Sequence, residues 1–133
     1  MRFDFWIGVW DVSDPQGGRG RNRLRRILGG KVIEETFTFT AADGSTLDGR
    51  SHTVEVPGRG WCQTWVDDQG GYLDFTEGTS GQGEVVLERP GQRMVFSDIT
   101  GDSFRWDWQR AIDSGWETTW RLDYLRSGGA GEV

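Results

Sequence analysis

The chain has 133 residues and a formal net charge of −6, and its length suits one domain with one hydrophobic core. The acidic balance argues against nucleic acid and against an anionic membrane as partners, because both favour a basic protein surface. The 21 glycines follow no collagen-like period, and together with 8 tryptophans they indicate a globular domain rich in hairpins.

An aromatic stretch at residues 3–12 predicts the first strand. Its large side chains occupy both parities, with Phe3 and Phe5 on one face and Trp6 and Trp10 on the other. Both faces of this strand should therefore be covered, as in a closed antiparallel barrel.

The next segment, residues 21–28, is basic. Leu24 and Leu28 have helical spacing, but the turn signal Gly29-Gly30 favours a strand that ends there. We interpret the arginines of residues 19–26 as the solvent-facing side of that strand. A patch that binds phosphate or carboxylate groups is the alternative.

Alternating side chains predict a strand over residues 31–40, in which Ile33, Glu35, Phe37 and Phe39 share one face. The segment 46–56 is predicted as one bulged strand or two short pieces. Turn signals then separate further strands at 61–67, 72–77, 84–88, 93–99, 104–110 and 116–126.

The last two strands carry four of the 8 tryptophans. Trp106 and Trp108 share one face of the first of them, with Phe104. In the second, Trp116 and Trp120 have the parity of Leu122 and Tyr124, which we expect to face the interior.

About ten strands at a spacing of roughly 8–12 residues predict an all-β domain, either a sandwich or a barrel. No internal repeat and no linker is apparent. We predict a single antiparallel up-and-down β-barrel over residues 1–126, followed by a flexible Gly-rich tail at 127–133.

The opening Phe3-Asp4-Phe5-Trp6-Ile7-Gly8-Val9-Trp10 resembles a bacterial family of small domains of unknown function that begin Phe-Asp-Phe-Trp-hydrophobic-Gly-x-Trp. That family is similar to the lipocalin-type, or calycin, barrels, whose first strand bears Gly-x-Trp. The resemblance implies a calycin-like fold and assigns no catalytic residue. It continues through Gly20-Arg21-Asn22, Leu28-Gly29-Gly30, Val32-Ile33-Glu34-Glu35, Trp61-Cys62-Gln63-Thr64-Trp65-Val66-Asp67 and Trp120.

The same resemblance implies how the barrel closes. In calycin barrels the Gly-x-Trp tryptophan stacks against an arginine of the final strand, which here predicts Trp10 with Arg126 as a structural pair. Gly8 would leave room for the guanidinium. The alternative is that Arg126 frays with the tail and Arg121 takes its place.

The tryptophans of the predicted interior require an explanation. They could form a solid core, or they could line a cavity for an apolar or flat ligand, since a barrel of about ten strands is wider than one of eight. We predict the cavity, with these ligand-binding residues: Glu35, Phe37, Gln63, Trp65, Trp106, Trp108 and Trp120.

Glu35 has the parity of Ile33 and Phe37, so its carboxyl is predicted inside the barrel. There it must be paired or have a raised pKa. It could be a structural ion pair with an arginine. It could also be a polar anchor for a ligand or a general base, with Gln63 or Tyr124 as its catalytic partner.

Metal and cofactor sites are not expected. The chain has one cysteine, Cys62, and one histidine, His52, which is too few for a Cys/His zinc site. Haem ligation by His52 is a minor alternative, because no haem motif surrounds it. The absence of a leader pattern and of cysteine pairs predicts a cytoplasmic protein.

The function predicted from these residues is the binding of a small, largely apolar or aromatic ligand in the barrel cavity. The first alternative is a cofactor-free enzyme, such as an isomerase, cyclase or decarboxylase, that uses Glu35, Gln63 and Tyr124 in the same cavity. The second is a non-catalytic association module whose outer-face aromatics form a homodimer.

Overall fold

A computed structural model describes residues 2–129 of the chain. They form a closed antiparallel barrel of ten strands, in which each strand pairs with its neighbours in sequence and β1 pairs with β10. The prediction of an all-β, single antiparallel barrel is thereby confirmed. The strands are β1 (Gly8–Ser13), β2 (Arg19–Ile27), β3 (Val32–Thr40), β4 (Thr46–Val56), β5 (Gly60–Asp67), β6 (Tyr72–Glu77), β7 (Val85–Arg89), β8 (Gln92–Ser97), β9 (Ser103–Ile112) and β10 (Gly115–Gly128).

The up-and-down order places the turns alternately at the two ends of the barrel. The β1–β2 and β5–β6 turns lie at one end, which we call the rim. The start of β1 and the turn between β8 and β9 lie at the other, which we call the base. Within residues 2–129, no helix is long and apolar enough to cross a membrane.

The prediction that the first strand begins at residue 3 is wrong. Asp4–Trp6 form a 3₁₀ helix, and the strand starts only at Gly8. This short helix crosses the base, where Phe3 packs edge-on against Trp61 and Phe96 with ring centroids 5.1 and 5.9 Å apart. The apolar residues of both parities in this stretch are buried. The reason is that residues 3–6 plug the barrel, and not that a strand is covered on two faces.

Trp10 and Arg126 meet at the base beside this plug. The guanidinium carbon lies 4.2 Å from the centroid of the Trp10 ring. Its nitrogens donate to the carbonyl oxygens of Phe5 at 3.0 Å, Ile7 at 2.8 Å and Gly101 at 2.8 Å. Arg126 thus ties the last strand to the plug and to the β8–β9 turn.

Arg121, the alternative closure residue, instead pairs with Asp107 on β9 at 2.7 Å. A Cβ on Gly8 would lie 2.4 Å from Nη1 of Arg126, so the space at Gly8 is needed for the guanidinium.

The assignment of Trp116 to the interior is wrong. The pairing of β10 with β9 shifts between Thr118 and Trp120, which inserts one residue and reverses the parity of the strand on its N-terminal side. Trp116 is therefore exposed, and the guanidinium carbon of Arg93 lies 4.3 Å from its ring centroid.

The remaining boundary differences are small. The segment 46–56 is one continuous strand, and residues 19–27 form a strand and not a helix. Strand β10 continues to Gly128 and pairs with Val9, so two residues of the predicted tail belong to the barrel. The predicted tail residues 130–133 lie outside the described part of the chain.

Candidate functional site

The barrel encloses a cavity of about 260 Å³. Trp6, from the 3₁₀ helix, lies at its floor, and the rim residues Leu47, Asp67 and Leu73 lie at its upper end. Most of its wall is aromatic or aliphatic. The remaining lining residues are Glu35, Phe37, Gln63, Phe75, Met94, Trp65, Trp106, Trp108, Trp120, Leu122 and Tyr124.

All seven residues predicted to bind ligand line this one cavity, and so does Tyr124. The strands bring them together because each has the inward parity of its strand. Trp106 stacks on Trp108 at 6.3 Å with an interplanar angle of 13° and meets Trp120 edge-on at 5.7 Å. These rings pack against one another and still leave open space between them.

The polar part of the wall centres on Glu35, which is 6% exposed. Asn22 Nδ2 donates to one carboxylate oxygen at 2.6 Å, and Ser51 Oγ donates to the other at 2.6 Å. Asn22 Nδ2 also donates to Tyr124 Oη at 3.0 Å. An ion pair between Glu35 and an arginine was one of the predicted alternatives. Among the described residues, the carboxyl is instead hydrogen-bonded by two neutral side chains.

Burial dominates the electrostatics of this cluster. It raises the pKa of the Glu35 carboxyl above its ordinary value, and the bonds from Ser51 and Asn22 only partly oppose the rise. Burial, and to a smaller degree the charge of Glu35, also raises the pKa of the Tyr124 phenol, which therefore stays protonated at neutral pH. Asn22 Oδ1 is buried without a hydrogen-bond partner among the described residues.

Gln63 is the second polar group of the wall and is 3% exposed. Its Nε2 donates to Thr53 Oγ1 at 3.0 Å. Its carboxamide oxygen accepts no hydrogen bond from the residues that the structure describes. Gln63 therefore offers an acceptor to the cavity.

Two rim turns share one sequence pattern and one geometry. Asp14-Pro15-Gln16-Gly17-Gly18 and Asp67-Asp68-Gln69-Gly70-Gly71 both read Asp-x-Gln-Gly-Gly. In each, one carboxylate oxygen of the aspartate accepts the backbone N–H groups of the glutamine and the second glycine, at 3.1 and 2.7 Å in the first turn and 2.9 and 2.8 Å in the second.

The other carboxylate oxygen of each rim aspartate holds a tryptophan of the cavity wall. Trp120 Nε1 donates to Asp14 Oδ2 at 3.2 Å, and Trp65 Nε1 donates to Asp67 Oδ2 at 2.8 Å. Although burial opposes it, the bonds from Trp65 and from the turn backbone hold the pKa of Asp67 below its ordinary value. The two indoles are thus fixed by ionisable groups at the mouth of the cavity.

The sequence interpretation missed these aspartates, and it also missed Asn22 and Ser51. The repeated Asp-x-Gln-Gly-Gly was a readable signal, and the expectation of no internal repeat is wrong for this five-residue motif. The signal for Asn22 and Ser51 was weaker, because it depends on how the strands pair. Asn22 lies opposite Phe37 and Ser51 lies opposite Glu35, and both of these β3 residues face inward.

The remaining candidates lie outside the cavity. His52 is on the outer wall, where its Nε2 is 3.7 Å from Glu34, and its side chain is 59% exposed. Among residues 2–129, no three His, Cys, Asp or Glu side chains are grouped so that they could hold a metal ion. In the basic segment, Arg25 pairs with Glu34 at 2.7 Å and Arg21 approaches Asp11 at 3.9 Å, both on the outer face.

Comparison with known proteins finds no family model that matches the chain and no match among curated proteins.

Proposed function

We propose that this protein binds a small, largely apolar or aromatic molecule in the barrel cavity. The observation that carries the proposal is a cavity of about 260 Å³ whose wall is mainly aromatic. An apolar cavity of about 150 Å³ is large enough for benzene, so this one suits a molecule of about two fused rings. The resemblance to calycin barrels and the Trp10–Arg126 stack support a lipocalin-like architecture for it.

The wall is also preorganised, which favours binding because little side-chain freedom remains to be lost. Trp65 and Trp120 are held by Asp67 and Asp14, and Trp6 packs at the floor against Phe3 and Phe96. A cavity with fixed rings and a few polar groups is the usual form of a small-molecule site.

A cofactor-free enzyme is the second candidate, because Glu35, Gln63 and Tyr124 line one cavity. A buried carboxyl whose pKa is raised is a suitable general acid or base. The test is solvent deuterium uptake by 2-tetralone, a flat ketone with acidic C–H groups, measured by NMR. Catalysis by the wild type that Glu35→Gln abolishes would establish this activity, and exchange at the buffer rate would reject it for this class.

The association module has less support. It relies on the exposed apolar side chains of the outer face, which lie in three places. These are Leu28 between β2 and β3, the paired Val66 and Tyr72 on β5 and β6, and Ile112, Trp116 and Leu125 along the β9–β10 hairpin. Sedimentation at micromolar concentration tests it, with a dimer as the result in its favour.

The test of the binding proposal uses 2-naphthylmethanol, an uncharged two-ring probe, and follows tryptophan fluorescence and heat during titration. Gly49→Ala is the blocking variant, because a Cβ there would lie 2.1 Å from the Trp65 ring and must displace it. Gly101→Ala is the matched control, since its added Cβ meets nothing within 4 Å.

We expect saturable binding of one probe per chain to the wild type and to Gly101→Ala, and binding weaker by at least tenfold to Gly49→Ala. Native mass spectrometry of protein purified from its own host should also detect a co-purifying small molecule. Absence of probe binding by folded wild-type protein would overturn the proposal.

A further inference from the structure

The charge of the cavity wall is one-sided. Of the residues that line the cavity, Glu35 and Asp67 are acidic, and none of the lining residues is lysine, arginine or histidine. The chain as a whole carries a net charge of −6, so the long-range field has the same sign. A ligand with a carboxylate or phosphate would find no cationic partner in this wall.

No cationic side chain among residues 2–129 pairs with Glu35. Its hydrogen-bond partners, Asn22 on β2 and Ser51 on β4, are neutral. The titratable groups that share its cavity are Tyr124 on β10, a protonated phenol, and Asp67 at the rim. A buried carboxyl among neutral and acidic groups gains far more from an incoming cation than an exposed carboxyl does.

Gln63, the second polar group of the wall, can also accept a hydrogen bond from a ligand. Gln63 is 3% exposed, and its carboxamide oxygen accepts nothing from the described residues although it belongs to the cavity lining. This oxygen is therefore free to accept a hydrogen bond from a ligand N–H group.

The aromatic wall favours a cation as well. The faces of electron-rich rings attract cations, and tryptophan does so most strongly. Trp65 and Trp120 donate their indole N–H groups to the carboxylates of Asp67 and Asp14, which adds negative charge close to these two rings. Trp106 meets Trp120 edge-on at 5.7 Å, so the rings face the cavity from different directions.

We propose that the ligand of this cavity is an organic cation: a primary amine, protonated when bound, on a flat or compact apolar body. The ammonium pairs with the carboxylate of Glu35, and the body lies among Trp65, Trp106 and Trp120. This inference rests on the proposed function, because it names the chemical class of ligand for the same cavity.

The proton balance of binding follows from the state of Glu35. Burial raises the pKa of its carboxyl, and an ammonium group beside it would favour the ionised form. Where the carboxyl is protonated before an ammonium binds, it ionises on binding and its proton goes to the buffer. If the amine enters unprotonated, the same proton passes to the amine nitrogen. Amine binding is therefore coupled to the ionisation of Glu35, and binding of a neutral analogue is not.

Three probes with one body and different charge test the inference: 2-naphthylmethylamine, 2-naphthylmethanol and 2-naphthoate. Affinities are measured by calorimetry at pH 5.5 and 7.5, in two buffers of different ionisation enthalpy so that proton release is counted. We expect the amine to bind the wild type at least tenfold more tightly than the alcohol, and the carboxylate to bind most weakly. Proton release should accompany the amine alone.

Glu35→Gln is the test variant, because the amide keeps the shape and can still bond with Asn22 and Ser51. Glu34→Gln is the matched control, one residue away on the outer face of the same strand. The preference for the amine should disappear in Glu35→Gln and persist in Glu34→Gln.

The outcomes separate the two proposals. If the alcohol or the carboxylate binds the wild type as tightly as the amine, the inference of a cationic ligand is wrong and the cavity remains a binding site. If none of the three probes binds to folded wild-type protein, the proposed function fails as well. If Glu35→Gln does not fold, the order of affinities in the wild type decides.

Discussion

Arg126 joins three parts of the base, and its removal should be the most damaging single change outside the core. Its guanidinium lies 4.2 Å from the Trp10 ring centroid and donates to three backbone carbonyls within 3.0 Å. A partly desolvated cation over an indole contributes about 1–2 kcal/mol, and a hydrogen bond to a charged group about 1.5–3 kcal/mol. Since these contacts share one side chain, they do not add fully, and we expect Arg126→Ala to lower the free energy of unfolding by about 3 kcal/mol.

The assay is urea denaturation together with thermal melting, in which a loss of this size in a chain of this length lowers Tm by roughly 10 °C. Arg110→Ala is the control, because its pair with Glu117 joins side chains that are 60% and 45% exposed and should contribute about 0.5 kcal/mol. Arg126→Lys should recover less than half of the loss, since an ammonium cannot spread donors over several carbonyls as a planar guanidinium does.

Gly8→Ala provides an independent check on the same geometry. Its Cβ would lie 2.4 Å from Arg126 Nη1, and its backbone φ of +135° is unfavourable for alanine. The double variant Gly8→Ala/Arg126→Ala should therefore lose less stability than the sum of the two single variants. If Arg126→Ala melts no earlier than Arg110→Ala, or if only Arg121→Ala lowers Tm, the assignment of Arg126 to barrel closure is wrong.

Two further predictions concern the cavity wall. The raised pKa of Glu35 means that the folded chain binds this proton more tightly than the unfolded chain, so its contribution to stability is complete below the unfolded pKa and declines as pH rises toward the folded pKa. Denaturation from pH 4 to 8 should show Glu35→Gln gaining stability relative to the wild type as pH rises, and a constant difference would contradict the assignment. Asp67→Asn should keep the rim turn but present an amide N–H to the indole N–H of Trp65, which should destabilise the protein by about 1–2 kcal/mol and move one indole signal in a ¹⁵N NMR spectrum. Gln16→Ala, whose side chain the Asp14 turn does not use, should leave both the stability and the indole signals unchanged.

The sequence by itself determined the fold class and the inward faces of the central strands. Alternation is a local property with a period of two residues, so the inward parity of Glu35 and Phe37 on β3, and of Trp106 and Trp108 on β9, could be read directly. Turn signals divided the chain into ten segments for the same reason, because glycine and proline act on the backbone where they stand.

Local patterns failed where contacts distant in sequence decide the outcome. The 3₁₀ helix at Asp4–Trp6 replaces a predicted strand because Trp6 and the preceding Phe3 are buried against the barrel, Trp6 against Phe96 and Phe3 against Trp61. The bulge near Thr118 reversed the expected parity of Trp116, and an inserted residue is a property of the pairing with β9, which no pattern within β10 reveals.

The chemistry of the cavity was also settled only by the tertiary structure. The sequence indicated that Glu35 faces inward, but its neighbours come from other strands: Asn22 connects it to Tyr124 across 102 residues of chain. Asp14 holds Trp120 across 106 residues. The pairing of β1 with β10 closes the barrel and brings these groups together. The lining residues include two acidic side chains and no basic one, which gives the cavity wall its negative charge. Burial among neutral partners raises the pKa of the Glu35 carboxyl.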